Sequence, residues 1–325
     1  MLSKSISILI FGGIHLMFLI GIIYSNFKLL SLIAVVPLIG YFIFENKRIK
    51  FKKSDYLFSL MAFALGFGLT YLAVQKAEVT PVYGAAIVGV FGSFIPEKMF
   101  FKGFSSAVYC GAFAGMIADF HIADFSTIIS IIFIGSILFF LLKESFIGLG
   151  GKLGSIAFGS MLVPLISGEE IFVFEEIYHD VISFNPIDDL TSQSKIITTI
   201  IVSLFGTLIP YFLVNKYNVN PIKASAIPSF IISIPMQIVP ISGFIAFVPI
   251  IFFGASFVGM SSNKVLRLGP LFLSSILFGA VINFVYPIFN GFGGALGTTA
   301  CLCSLVGVLF QKTLQGKVVR IKSES

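Results

Sequence analysis

The apolar positions along this chain neither alternate nor recur on a single helical face. They form continuous runs of 16 to 21 residues separated by short polar or charged segments. At 1.5 Å per residue, such a run crosses a hydrocarbon core about 30 Å thick as one helix. Twelve runs stand out, at 5–24, 29–44, 56–75, 80–97, 104–119, 126–142, 147–167, 196–214, 220–237, 242–260, 268–288 and 292–311. The pattern predicts an all-α integral membrane protein with about 12 transmembrane helices.

Composition strengthens that reading. The 325 residues are 57% hydrophobic with a mean hydropathy of +1.03. Only 11% are charged, against about 25% in an ordinary globular domain. The net charge of +6 resides in short loops between apolar runs, so it predicts orientation in a lipid bilayer and no nucleic-acid partner. The densest cluster, Lys47, Arg48, Lys50, Lys52 and Lys53, marks its loop as cytoplasmic.

Alternating from there places Lys98, Lys102, Lys143, Lys216, Lys264, Arg267 and the basic tail inside. Only Lys28, Lys76 and Lys195 fall outside. The segment from Gly168 to Ser194 also falls outside, with seven acids and no Lys or Arg. The expected location is the plasma (inner) membrane, multi-pass, with both termini cytoplasmic. The first run precedes no small-residue cleavage site and is expected to stay as an anchor. Cys110, Cys301 and Cys303 lie inside apolar runs, which predicts neither a disulfide framework nor a CxxC zinc site. No metal or other cofactor is expected.

The chain also repeats itself. FIGLGGKLGS at 146–155 and FNGFGGALGT at 289–298 are identical at six of ten positions, 143 residues apart. YLAVQKAEVTPVYGAAI at 71–87 aligns without gaps on YFLVNKYNVNPIKASAI at 211–227, seven of seventeen identical, 140 residues apart. Gly111-Ala112 and Gly115-Met116 echo Gly254-Ala255 and Gly259-Met260 between these landmarks. Each copy holds five runs. Five is odd, so a continuous chain must place the second copy upside down relative to the first, the inverted-topology repeat of many secondary transporters. The predicted organisation is two N-terminal helices with a basic loop (1–54), repeat 1 (55–167), an acidic linker with an interfacial helix (168–195), inverted repeat 2 (196–311) and a basic tail (312–325).

Candidate chemistry gathers at the repeated landmarks. Thr80-Pro81 and Asn220-Pro221 have the N-cap and N1 residues of a helix start. Helices beginning inside the membrane would aim partly positive N-termini at a solute. Gly150 and Gly151, matched by Gly293 and Gly294, permit either close helix packing or backbone lining of a route. Lys152, opposite Ala295, breaks the symmetry. It is a solute contact or a side chain reaching for the interface. Thr298 completes the candidate binding set.

Asp119, His121 and Asp124 read as solvated loop residues more than as a metal cluster, and the lone His15 as a neutral packed side chain. Glu175 and His179 are too sparse for a metal site. No GxSG, GxGD, HExxH or Walker pattern occurs, which argues against an enzyme.

The two five-helix halves, each with TP or NP opening a short helix, resemble the architecture of urea transporters. There a proline-containing half-helix from each repeat builds a central pore. TPVYG and NPIKA depart from that family's NPxSG pattern, so no urea-binding residue is carried across. The expected function is a transporter or channel-like permease for a small polar solute or ion, with its pathway between the repeats. The competing expectation is a membrane-embedded scaffold or assembly subunit. Association into a homo-oligomer is compatible with either.

Overall fold

The computed structural model describes residues 4–24, 53–96, 100–119, 122, 124–167, 192–239 and 243–323. Among these residues there are helices and turns and no strand. In chain order the helices are α1 (Lys4–Tyr24), α2 (Lys53–Lys76), α3 (Pro81–Phe94), α4 (Phe104–Ala114), α5 (Phe125–Leu142), α6 (Lys152–Ser167), α7 (Ser192–Asn215), α8 (Pro221–Ser233), α9 (Pro235–Ile238), α10 (Phe244–Gly259), α11 (Leu268–Ile288) and α12 (Ala295–Ser323). The predicted run 29–44, Lys98, His121, most of the basic loop, and the acidic linker with its interfacial helix, His179 included, lie outside the described residues.

Five helices, α2, α5, α7, α11 and α12, contain stretches long and apolar enough to cross a membrane. The apolar stretches in α1, α3, α4 and α10 are shorter. The described helices are therefore a mixture of long ones and short ones. Helix α12 continues unbroken to Ser323, through most of the predicted tail.

Two of the long helices expose apolar stripes and bury hydroxyls, although the interior as a whole is apolar. On α7 the exposed stripe is Ile197, Ile201, Phe205 and Ile209, four residues apart. The fully buried stripe of the same helix is Thr199, Ser203 and Thr207. Their hydroxyls donate to the carbonyls of Gly279 (2.8 Å), Ser275 (2.7 Å) and Ala255 (3.1 Å) on α11 and α10. Helix α2 likewise exposes Leu57, Met61, Leu65, Leu69 and Leu72 while burying Ser59 and Thr70. Water would drive the leucines inward, whereas hydrocarbon leaves them outside and favours paired polar groups within. The molecule is compatible with a membrane protein on this ground as well as on helix length.

Local chemistry sets the helix boundaries. Pro81 and Pro221 occupy the first turns of α3 and α8, where a missing N–H costs nothing. Asn220 Oδ1 accepts from the Ile222 amide (2.8 Å). Asp124 caps α5 through the Thr127 amide (2.9 Å). The hydroxyl of Ser126, with the amide and hydroxyl of Thr127, holds the Asp124 carboxyl below its usual range. Pro235 cannot donate a backbone hydrogen bond and separates α8 from α9.

Around the glycine motifs, Gly148, Gly151, Gly291 and Gly294 have φ of +81°, +80°, +77° and +85°. These left-handed values end any helical continuity, so α6 and α12 begin at 152 and 295 and not at 147 and 292.

Packing follows the same plan twice. Helix α2 packs against α3, α4 and α5, and α7 against α8, α10 and α11. Helix α6 touches α4 and α5, while α12 touches α10 and α11. The groups are joined mainly by α3 on α8 and by α6 on α12. In the second joint Gly151 abuts Cys301, Gly154 abuts Gly297 and Gly294 abuts Phe158. The first two turns of α6 and α12 therefore cross antiparallel.

Helix α1 covers this crossing. Phe11 stacks on Phe146 (4.5 Å between centroids) and Phe18 on Phe289 (4.4 Å). His15 is buried, with Nδ1 2.8 Å from the Phe11 carbonyl and Nε2 3.0 Å from Ser155 Oγ. A carbonyl only accepts, so the neutral ring carries its proton on Nδ1 and accepts from Ser155.

A methyl group on Gly154 would sit 2.5 Å from the Gly297 Cα, whereas one on Gly68 meets nothing within 4 Å. Gly154→Ala should therefore destabilise the protein by about 1–3 kcal/mol, the usual cost of overpacking. Gly68→Ala should be neutral or slightly stabilising. Thermal unfolding of both variants in detergent checks the pair; equal melting temperatures would contradict the crossing.

Candidate functional site

A cavity of about 390 Å³ opens between the two helix groups, within the roughly 300–1,000 Å³ range of small-molecule sites. Its mouth is formed by the C-terminal end of α2 at Gln75, by Thr80 and Pro81 before α3, by Asp119 after α4, and by Asn290 and Gly291. Its floor is the first turn of α12, from Gly294 to Gly297, together with Phe113 of α4 and Phe257 of α10. These two rings lie 4.7 Å apart, with Phe253 4.7 Å from Phe257. The cavity ends where α6 and α12 cross.

Beneath the rings a buried polar chain links the two groups. The Tyr109 hydroxyl lies 3.2 Å from Ser225 Oγ, which lies 2.7 Å from Ser256 Oγ. Ser256 donates onward to the Phe253 carbonyl at 2.6 Å. Every hydroxyl in this chain is committed, as burial in hydrocarbon requires.

The faces on either side of the crossing differ. On the mouth face the Ala118 amide donates to the Gly291 carbonyl (2.9 Å) and the Tyr71 hydroxyl donates to Asp119 (2.9 Å). On the opposite face the Ser262 amide donates to the Gly148 carbonyl and the Gly150 amide to Ser261 Oγ (2.9 and 3.1 Å). Asn215 clamps the loop that carries Ser261 and Ser262 onto α7 within the second group: Nδ2 donates to the Tyr211 and Ser261 carbonyls (3.0 and 3.1 Å), and Oδ1 accepts from the Asn263 amide (2.8 Å). Gln75, the residue aligned with Asn215, lines the open cavity instead.

Of the residues expected from sequence, Thr80, Pro81 and Gly294 line the cavity. Thr80 Oγ1 also accepts from Gln237 Nε2 at 2.6 Å, tying the α8–α9 break to the start of α3. Gly293 packs against the Phe113 carbonyl and Gly150 against the Phe257 carbonyl. Thr298 is buried and donates to the Gly294 carbonyl (3.1 Å). Gly151 serves the crossing, and Asn220 with Pro221 serves the start of α8. None of these six is among the cavity-lining residues.

Lys152 does not line the cavity either. Its Nζ donates to the carbonyls of Lys143 and Ser145, both at 2.9 Å, just past the end of α5. Those carbonyls carry the partial negative charge of a helix C-terminus, so the ammonium completes the end of α5. Asp119 and Asp124 have separate partners, Tyr71 and the first turn of α5.

Sequence reasoning passed over Gln75, Tyr286 and the floor rings. Gln75 was within reach, as a polar residue aligned with another in a repeated apolar run. Phe113, Phe253 and Phe257 were not, because nothing separates them from the rest of the chain's 39 phenylalanines.

Comparison with protein-family models, curated proteins and solved structures finds no match for this chain.

Replacing Lys152 removes two donors from carbonyls held off water. Lys152→Met should lower stability by about 1–3 kcal/mol, with Lys152→Arg recovering part of the loss. Thermal unfolding in detergent reads the difference; a Met variant as stable as the parent would show that water or another donor replaces the ammonium.

Proposed function

We propose that this chain is a multi-pass permease of the plasma (inner) membrane, built from two inverted five-helix halves preceded by two helices. It carries a small solute through the cavity between the halves. One observation carries the reading. The molecule has one joint on each face of the α6–α12 crossing, open to a cavity on one side and, on the other, made by a loop that Asn215 clamps to its own helix group.

Duplicated packing supports the inverted halves. Helices α2 to α6 have the same mutual neighbours as α7, α8, α10, α11 and α12. Glu78 and Asn218, 140 residues apart, share left-handed φ values of +52° and +54°. The Ala118–Gly291 and Ser262–Gly148 hydrogen bonds are related by the same exchange of halves. With the charge rule applied to the sequence, the mouth faces outward and the clamp faces the cytoplasm.

Transport then follows from exchanging the two joints. In the described state a solute reaches the Phe113–Phe257 rings from the mouth and is stopped there. Releasing the loop that Asn215 holds, and with it the Ser262–Gly148 joint, while Gln75 comes to hold the corresponding loop, would open the opposite face and close the mouth. Gln75 and Asn215 carry the same amide on chains differing by one methylene, so the two closures are chemically alike. The mainly apolar floor favours a solute with some apolar surface over the fully polar solute or ion expected from sequence. A scaffold would need no cavity reaching the contact between halves.

Asn215→Ala should shift the balance toward the opposite face. The clamp is worth about 1 kcal/mol per hydrogen bond, which moves a two-state equilibrium roughly fivefold. In a Cys-free background, Met116→Cys reports on the mouth and Ser256→Cys on the buried chain. With impermeant thiol reagents, Asn215→Ala should slow labelling of Met116→Cys and expose Ser256→Cys from the cytoplasmic side, with Asn215→Gln intermediate. Labelling that is unchanged at both positions, with Ser256→Cys protected throughout, would favour the scaffold.

A further inference from the structure

We propose that the cavity binds an amphipathic organic cation, with its positive head at the mouth and an aromatic or branched apolar body on the floor. The inference deepens the permease reading by naming the solute class of the same cavity, and it rests on that reading only for the route.

Three observations lead to it. The walls are mainly apolar and include six rings, those of Phe113, Phe253, Phe257, Tyr286, Phe289 and Phe292. A fully hydrated ion or sugar would lose its water there without replacement, whereas an apolar body gains contact with every wall. Aromatic faces also attract cations, most of all weakly hydrated alkylammonium groups.

The charge balance points the same way. Among the described residues, Asp119 is the one charged residue lining the cavity, and no Lys or Arg lines it. It is exposed at the mouth, with one oxygen accepting from Tyr71. The connecting sequence 168–191, assigned by the charge rule to the same face, carries seven acids and no basic residue. Such a field raises the local concentration of cations. The partial positive charge at the α12 N-terminus opposes this only at the floor, away from the head, and favours an acceptor oxygen on the buried end.

Polar groups without partners complete the case. The Gln75 amide and the Tyr286 hydroxyl line the cavity and make no hydrogen bond to another described residue. Other cavity polar groups are already engaged: Thr299 Oγ1 donates to the Ala295 carbonyl (3.0 Å) and Thr80 accepts from Gln237. An orphan amide and hydroxyl beside rings suit a ligand with one or two polar atoms on an apolar frame.

The test uses full-length protein in uncharged detergent and equilibrium dialysis of labelled benzyltrimethylammonium, with protein-free micelles as the blank. Competitors are neopentylbenzene, its uncharged isostere, and benzylsulfonate, an anion with a similar body. Saturable cation binding is expected, with the neutral isostere weaker and the sulfonate weakest.

Asp119→Asn should weaken cation binding about fivefold at low salt and leave neopentylbenzene unchanged; high salt should erase the difference. Ala246→Phe, which fills the cavity from α10, should abolish binding of both. Sulfonate binding equal to the cation's, cation affinity unaffected by Asp119→Asn, or cation binding that survives Ala246→Phe would overturn the inference. Failure of the permease reading would look different: cation binding would persist while Ser256→Cys stayed protected in every Asn215 variant.

Discussion

The contact between Gly154 and Gly297 governs the architecture. Two helices whose first turns cross antiparallel can approach this closely only when neither carries a Cβ at the crossing. That approach lets α6 and α12 begin beside one another and run outward in opposite directions. The turns before them must reverse the chain without helical hydrogen bonding, and the left-handed glycines on each side do so. Packing and chain reversal are thus two demands met within one motif. Gly154 and Gly297 supply the approach, Gly148 and Gly291 supply turns, and Gly151 and Gly294 do both.

Closeness at the crossing creates a second constraint. Turns buried in an apolar environment leave amides and carbonyls that need partners. Each turn borrows a partner from the other group of helices, through Ala118 to Gly291 and Ser262 to Gly148. Lys152 adds donors for the carbonyls past α5, and His15 with Ser155 closes the chain of hydrogen bonds under α1. The backbone that satisfies the turns is therefore the same backbone that holds the groups of helices together. A change at one joint cannot leave the crossing untouched.

Much of this was visible in the sequence because glycine and proline carry backbone meaning wherever they stand. The repeated FxGxGGxLG pattern marked both turns, and the TP and NP pairs marked the starts of α3 and α8 to within a residue. The helices start at 152 and 295, after the beginnings of their apolar runs, which composition does not reveal because it cannot distinguish a glycine in a helix from one at positive φ. Lys152 was read as a solute contact or an interfacial side chain because its partners are carbonyls, which have no signature in sequence. The cavity was invisible for a related reason. Its walls come from six segments far apart in the chain, and phenylalanine reads alike whether it faces lipid, as Phe205 does, or the floor, as Phe257 does.

The departures from symmetry are the places where the two joints are made unequal. A perfectly repeated chain would close both faces with the same energy and have no preferred state. Here Asn215 engages three partners within its own group and so braces the loop that makes its joint, while Gln75 engages none among the described residues. Lys152 stabilises the turn beside the clamp, while Ala295, its counterpart, contributes no donor. Both differences strengthen the same face. Differences worth one or two hydrogen bonds shift populations by about an order of magnitude without committing the molecule irreversibly to one state. A scaffold would gain nothing from this balance, whereas a carrier needs a resting state firm enough to receive solute and weak enough to leave.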